Sequence, residues 1–395
     1  MTEHHRPAAH LPSRRFGDTG WLSRHPQQGH EGHHYPVKRY QETHGHQPFR
    51  ALPSPTGMLP YRLPLEQVVP IDADATALVF HMVGDTGGVK TPVPQLNVAR
   101  AMEKDLHSME AAPPVFFYHL GDVVYFDGEA DQYYPQFYDA YANYHAPIMA
   151  IPGNHDGDIS REMEANHVPS LAAFVDNFCA RIAHHTPDAR DVERDAMTQP
   201  NVYWTLEAPL VTVVGLYTNV PEGGSLDPNQ IAWFETELHE APRDRPLLVA
   251  MHHPIYSVDG HHSGSEYLHR ILDDAVQQTG RKPDAVFAAH VHNYQRFTRS
   301  WQGWEVPFIV AGGGGYHNLH RVLPGVKRGP QGAPEDPVTL ETFCDHLYGY
   351  LRLEVTKTRL KGAYYTVPGF QDPMSAQGTL FDSFTLDIKK HTLVK

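Results

Sequence analysis

The sequence predicts an α/β fold, on three observations. From residue 77 onward, short apolar runs alternate with stretches of helical spacing, a pattern that builds sheets covered by helices. The C-terminal part, 349–366 and 379–388, changes to period-two alternation, the mark of hairpin strands. The turns after five of the apolar runs carry Asp, Asn or His, which puts the chemistry at strand ends, where a rigid scaffold holds functional loops.

Taken in order, Ala77–Val83 reads as a strand ending at Gly84-Asp85, and Gln95–Glu110 has helical spacing through Leu96, Ala99, Met102 and Leu106. Val115–His119 is a second strand, followed by Gly121-Asp122-Val123-Val124-Tyr125 and an aromatic-rich helical stretch over Tyr133–Tyr144. Pro147–Ile151 is a short strand that ends at Gly153-Asn154-His155-Asp156, and Leu171–Ile182 looks helical. Beyond a polar insertion near 183–200 come strands at Val202–Leu206 and Leu210–Leu216, then a helix over Asn229–Glu240 with Asp227 as its cap and Pro228 in its first turn. Pro246–Met251 delivers His252-His253, Ser265–Gln278 is helical, and Ala285–Ala289 ends at His290-Val291-His292. Val306–Ala311 leads into the run Gly312–Gly315, a tight turn with close backbone approach.

Composition narrows the partners. The 395 residues suffice for one large domain or two modest ones. With a net charge of −14 and no Lys/Arg runs, binding to a nucleic-acid backbone is not expected. Two cysteines, Cys179 and Cys344, imply no disulfide framework. No stretch is long and apolar enough to span a bilayer, and Met1–Arg6 lacks an apolar signal region, so a cytoplasmic location without membrane contact is expected. Histidine is abundant, at 29 residues. Residues 1–70, rich in His, Pro and Gly and without a period, are expected to form a partly ordered or draped arm ahead of a domain over 71–395. Accessory metal capture by that arm is the sharper reading of its imidazoles.

In this order, Asp85-x-Gly87, Gly121-Asp122-x-x-Tyr125, Gly153-Asn154-His155-Asp156, Val249-x-x-His252 and His290-x-His292 resemble the five blocks of the purple acid phosphatases, members of the calcineurin-like metallophosphoesterases. The resemblance covers about 77–390, with Ala289 where the family usually has Gly. It implies a four-layer αββα sandwich with two mixed β-sheets and a site for two metal ions. One metal would take Asp85, Asp122, Tyr125 and His292; the other would take Asp122, Asn154, His252 and His290, with Asp122 as the bridge that two-metal chemistry needs. The wider superfamily has a ligating His in the first block, where this chain has Gly87. Tyr125 is the natural replacement, and a phenolate ligand favours Fe(III) there. The second site suits Fe(II), Zn(II) or Mn(II).

The resemblance implies phosphomonoester hydrolysis on a phosphorylated small molecule, by in-line attack of a hydroxide that the metals make available. The leaving group would be protonated by His155, oriented by Asp156, or by His261 or His262 nine and ten residues past His252. His253 is expected to support a neighbouring ligand or to pack. Two rivals stand beside this: a phosphodiesterase on nucleotides or lipid headgroups with the same centre, and a His-rich metal-binding protein with an inactive phosphatase fold.

Overall fold

The computed structural model of the chain describes residues 51–394 except 73, 109–110, 220–223, 332–335 and 371–375. Most of the expected arm, 1–50, lies outside the described residues.

In chain order the strands are β1 Arg62–Pro64, β2 Leu78–Val83, β3 Phe117–His119, β4 Ile148–Ala150, β5 Trp204–Ala208, β6 Val211–Gly215, β7 Leu247–Ala250, β8 Ala285–Ala288, β9 Tyr294–Trp301, β10 Trp304–Ala311, β11 Gly329–Pro330, β12 Val338–Cys344, β13 Tyr348–Val355, β14 Arg359–Val367, β15 Thr379–Asp387 and β16 Thr392–Leu393. They make two mixed sheets. One has the order β1-β5-β6-β7-β8-β10-β9-β12-β11 and the other β16-β15-β14-β13-β2-β3-β4.

Side-chain alternation explains the layers. Along β2, Leu78, Phe80 and Met82 join Phe116, Tyr118, Leu351 and Leu353 in a core shared with Trp204, Leu206, Val213, Leu248, Phe287 and Ile309 of the other sheet. The intervening Val83 faces the helix Val93–Leu106, where it meets Val98, Ala99 and Met102. On the outer side of the nine-stranded sheet, Trp233, Phe234 and Leu238 of the helix Pro228–Glu240 and Leu268, Leu272 and Ala275 of the helix Glu266–Thr279 cover Val214, Val249 and Val286. Two sheets face to face with helices outside are the expected four layers. Asp227 caps its helix by accepting from the Asn229 and Gln230 N–H groups at 2.9 and 3.2 Å, as the sequence predicts. Among the described residues no helix is long and apolar enough to cross a membrane.

Three elements differ from expectation. The helix predicted over 133–144 is instead a 3-10 turn, Ala130–Gln132, and a π turn, Tyr134–Tyr138. Pro135 sits in the first turn, where its missing N–H is tolerated, and the wider bond from Asp139 N–H to Tyr134 O at 2.9 Å makes the turn a π turn. Residues 56–69, assigned to the arm, are part of the domain. β1 pairs with β5, Leu63 and Leu65 are buried, and Arg62 donates to Glu237 at 2.8 Å. The strands β9 and β12, which pair with each other beside β10, are not expected from the sequence; β9 shows no clean alternation, and that of β12 breaks at the irregularity between Leu340 and Thr342.

Candidate metal centre

Five loops at the C-terminal ends of strands converge, and each sheet supplies a different kind of donor. From the seven-stranded sheet, β2 leads to Asp85, β3 to Asp122 and Tyr125, and β4 to Asn154, all oxygen donors. From the nine-stranded sheet, β7 leads to His252 and β8 to His290 and His292, all nitrogen donors. The chain must turn sharply after each strand to aim these groups inward. Asp85, Asp122 and His290 accordingly adopt left-handed φ of 55°, 54° and 65°, a strained conformation for non-glycine residues that concentrates at functional sites. Backbone hydrogen bonds pin the turns to one another: Asp85 N–H to Gly121 O at 3.0 Å, Ala289 N–H to His252 O at 2.9 Å and Tyr316 N–H to Asp85 O at 2.9 Å. Ala289 itself does not have a positive φ; the left-handed turn is taken by His290.

The donor atoms fall into two overlapping sets. In the first, Tyr125 OH lies 3.2 Å from Asp85 Oδ1 and 3.4 Å from His292 Nε2. In the second, Asn154 Oδ1 lies 3.1 Å from His252 Nε2 and 3.0 Å from His290 Nδ1, and Asp122 Oδ2 lies 3.3 Å from His252 Nε2. Asp122, His252 and His290 have ligand atoms within 4.8 Å of one another. The imidazoles are oriented from behind. Leu120 O holds His252 Nδ1 at 2.9 Å and Asn318 O holds His292 Nδ1 at 3.0 Å, which turns Nε2 of each ring into the site.

The electrostatics calls for positive charge. Asp85 and Asp122 are buried, and the Oδ2 atom of each has no hydrogen-bond partner, an expensive arrangement unless a cation completes it. Burial, with help from Asp122, raises Asp85 well above the carboxylate range. Burial opposes charge on Asp122 as well, but His252 and His155 hold it below that range. Burial also opposes a proton on His252, yet the two carboxylates raise it to about 9. Burial pushes His290 well below its ordinary value, and the surrounding imidazoles of His253, His262, His252 and His292 push the same way. The oxygen and nitrogen donors, two of them carboxylates, fit a pair of hard to borderline metal ions.

Gly87 is explained by its neighbours. A Cβ there would collide with Gln136 Oε1 and lie 2.6 Å from Tyr125 Cδ2. The Tyr125 ring thus occupies the space that a larger residue at 87 would need. Gln136 fixes that tyrosine through both backbone groups, accepting from its N–H at 2.9 Å and donating to its carbonyl at 2.7 Å. Gly312 is needed equally: a side chain there would strike Val291 O and Asp85 Oδ2.

The expected acid–base residues divide. His155 is buried, with Nδ1 held at 2.7 Å by Phe126 O and Nε2 directed toward Asp122 Oδ2 at 4.0 Å. Asp156, expected to orient it, instead accepts from the Gly153, Val123 and Val124 N–H groups at 2.8, 3.0 and 3.2 Å, so its work is to shape the loops. Burial and the Asp122 charge push it up to about 7. His262 is buried, with its ring 4.4 Å from that of His290, whereas His261 is exposed and sits 4.6 Å from His320. His253 packs 4.3 Å from His290 and shares a 2.8 Å hydrogen bond with Thr218 Oγ1.

Sequence reasoning missed Gln136, Asp259 and His320. Asp259 Oδ2 accepts from the His261 and His262 N–H groups, each at 2.8 Å, and lies 3.4 Å from His320 Nδ1. His320 in turn stacks on His292, with ring centroids 4.3 Å apart. Asp259 and His320 thereby tie the His261–His262 loop to a donor of the first set. Only the surplus of histidine past the glycine run could have pointed to His320.

A sequence profile of the family described as calcineurin-like phosphoesterase matches residues 78–294. The chain belongs to that family. It is similar to purple acid phosphatase 21 of Arabidopsis thaliana, 27% identical over 41% of this chain and 36% of that protein. It also resembles a probable cyclic nucleotide phosphodiesterase of Rhodopseudomonas palustris, 31% identical over 44% of this chain and 54% of the relative. The chain thus spans only part of the length of these curated relatives. Among solved structures, a purple acid phosphatase from yellow lupin seeds superposes with a TM-score of 0.55 at 16% identity, covering 81% of this chain and 55% of that one. GAP50 of Plasmodium, described as the anchor in the inner membrane complex, gives a TM-score of 0.55 at 14% identity, covering 80% of this chain and 91% of that one. These likenesses carry the fold.

Proposed function

We propose that the protein hydrolyses phosphate monoesters at a dinuclear metal centre. The observation that carries this reading is the pair of overlapping donor sets around two buried carboxylate oxygens without partners. Asp85, Asp122, Tyr125 and His292 would hold one ion, and Asp122, Asn154, His252 and His290 the other. Bound there, two metals would supply Lewis-acid activation of water and neutralise charge on the phosphoryl oxygens. The protein contributes the rest. Asp122 would bridge, and its Oδ1 is already aligned by the His155 N–H at 2.9 Å. His155 and His262, buried beside the first and second donor sets, would bind the ester and protonate the leaving oxygen. The exclusion of a larger residue at 87 by the Tyr125 ring supports a phenolate ligand, and with it Fe(III) in the first site and Fe(II), Zn(II) or Mn(II) in the second.

The similarity to a probable cyclic nucleotide phosphodiesterase keeps diester cleavage as a second reading, and one experiment separates the two. Elemental analysis of the purified protein should find two metals per chain, one of them iron, and an assay panel should favour aryl and alkyl monoesters over cyclic and linear diesters. Faster turnover of diesters would replace the first reading with the second. A metal-replete protein inert on both would remove the hydrolytic reading.

A further inference from the structure

The strand ends opposite the metal centre carry a different chemistry. Arg243 and Arg245 precede β7, Arg281 and Lys282 precede β8, Lys357 joins β13 to β14, and Lys389 follows β15; all six line one cleft of about 620 Å³. Only two carboxylates, Asp244 and Asp284, join them there, in a chain whose net charge is −14. Both acids already have partners within the protein. Asp284 is engaged with the protein, accepting from the Leu247 N–H at 2.8 Å and pairing with His391 Nδ1 at 3.1 Å. The Asp244 side chain is 74% exposed and pairs with its neighbour Arg245 at 3.0 Å.

Arg281 shows that the cleft is built rather than incidental. It is 6% exposed, yet its Nε is buried with no hydrogen-bond partner. Its terminal nitrogen reaches only the Pro242 carbonyl at 3.4 Å and Asp284 Oδ2 at 3.9 Å. Burial lowers this guanidinium from its ordinary value; Asp284 opposes that shift and nearby Arg243 adds to it. A buried donor left unsatisfied is costly. That Nε is closed to solvent as the side chain stands, so an oxyanion in the cleft would relieve the cost by drawing the Arg281 fork toward it. Trp304 is already engaged, stacked on His391 at 3.3 Å with Lys282 Nζ 5.1 Å from its ring. Charge, rather than stacking of a base, therefore decides what the cleft takes.

We propose that this cleft is a second, non-catalytic anion site for a small molecule bearing two or more phosphate groups. Arginine forks match phosphate oxygens in pairs, and six cations spread around one cleft exceed what a single phosphate can touch. The candidate metal group found among the described residues lies at the other pole, so the bound molecule would be held without being cleaved.

The test is calorimetric titration with methylenediphosphonate, whose bridge resists hydrolysis. It is applied to the parent and to an Arg243→Glu, Lys357→Glu double variant, both positions being exposed. The parent should show two binding events per chain, and the double variant should lose one of them or weaken it by about tenfold or more. The retained event should vanish when the metals are stripped with a chelator that is then removed, whereas the distal event should survive in the stripped parent. That arm separates failure of the cleft from failure of the metal-centre reading. Arg281→Gln should weaken the same distal event, and added salt should weaken it too. Two unchanged events in the double variant, or a single event in the parent that disappears with the metals, would overturn the proposal.

Discussion

The two ends of β7 and β8 make an instructive contrast. Near their C-terminal ends, the buried Asp85 and Asp122 carboxylates of the facing sheet each keep one oxygen without a hydrogen-bond partner. At their N-terminal ends, the buried Nε of Arg281 lacks one. Each pole thus keeps buried polar atoms without a hydrogen-bond partner, acceptors at the first and a donor at the second. The backbone tells the poles apart. Three of the seven donors at the first pole sit in left-handed φ, and none of the six cations at the second does. A metal site needs donor atoms placed to within tenths of an ångström, and strained turns achieve that. A cleft that holds phosphate by charge can rely on long, flexible side chains, and relaxed backbone suffices.

Substitutions at the two poles should therefore differ in size and in kind. The largest effect is expected from Asp122→Asn, which takes charge from the bridge. Turnover should fall by more than the ~10⁴-fold that a general acid supplies, with both metals depleted. A variant retaining one full metal and losing less than about tenfold would show that Asp122 does not bridge. Next come His155→Ala and His262→Ala, with metal content intact and turnover lowered by about 10²–10⁴-fold. The loss should be smaller on aryl than on alkyl phosphates, and equal losses on both would recast these residues as phosphate binders.

Smaller effects sharpen the Tyr125 assignment. Gly87→Ala drives a methyl group against the Tyr125 ring and should cost about 1–3 kcal/mol of stability, the range for overpacking. Tyr125→Phe keeps the ring and should cost about 1 kcal/mol while abolishing the visible charge-transfer band of the ferric protein. An iron-loaded, oxidised parent without such a band would make Tyr125 a packing residue. The smallest effect belongs to the opposite pole. Lys357→Ala should leave thermal stability within about 0.5 kcal/mol and monoester turnover unchanged, and a change in turnover would mean that the poles communicate.

The sequence was most legible where chemistry and pattern coincided. All seven donors follow β2, β3, β4, β7 or β8, because an apolar run followed by a turn is a local signal. The π turn Tyr134–Tyr138 was misread as α-helix because aromatic spacing suits either, and the spacing of its backbone bonds shows only in the fold. β1 was missed because three residues that pair with β5, more than a hundred positions away, have no period to show. Gln136 and His320 stayed hidden for a like reason, acting on Tyr125 and His292 that the fold brings near. Asp259, two and three residues from His261 and His262, has no motif of its own to mark it. The cation cleft was invisible too, since its six members come from segments scattered between 243 and 389 with no basic run.

The division of donors between the sheets has a thermodynamic consequence. The oxygen ligands ride on one sheet and the nitrogen ligands on the other, and Asn154 Oδ1 already reaches across to His252 and His290. A cation shared by the two sets would act as a rivet through the seam. Its binding free energy would then be linked to the docking of the sheets, adding about 1.4 kcal/mol of stability for each tenfold excess of free metal over its dissociation constant. The melting temperature should thus climb with the logarithm of metal concentration. Chelation should loosen the two halves from each other before it unravels either one.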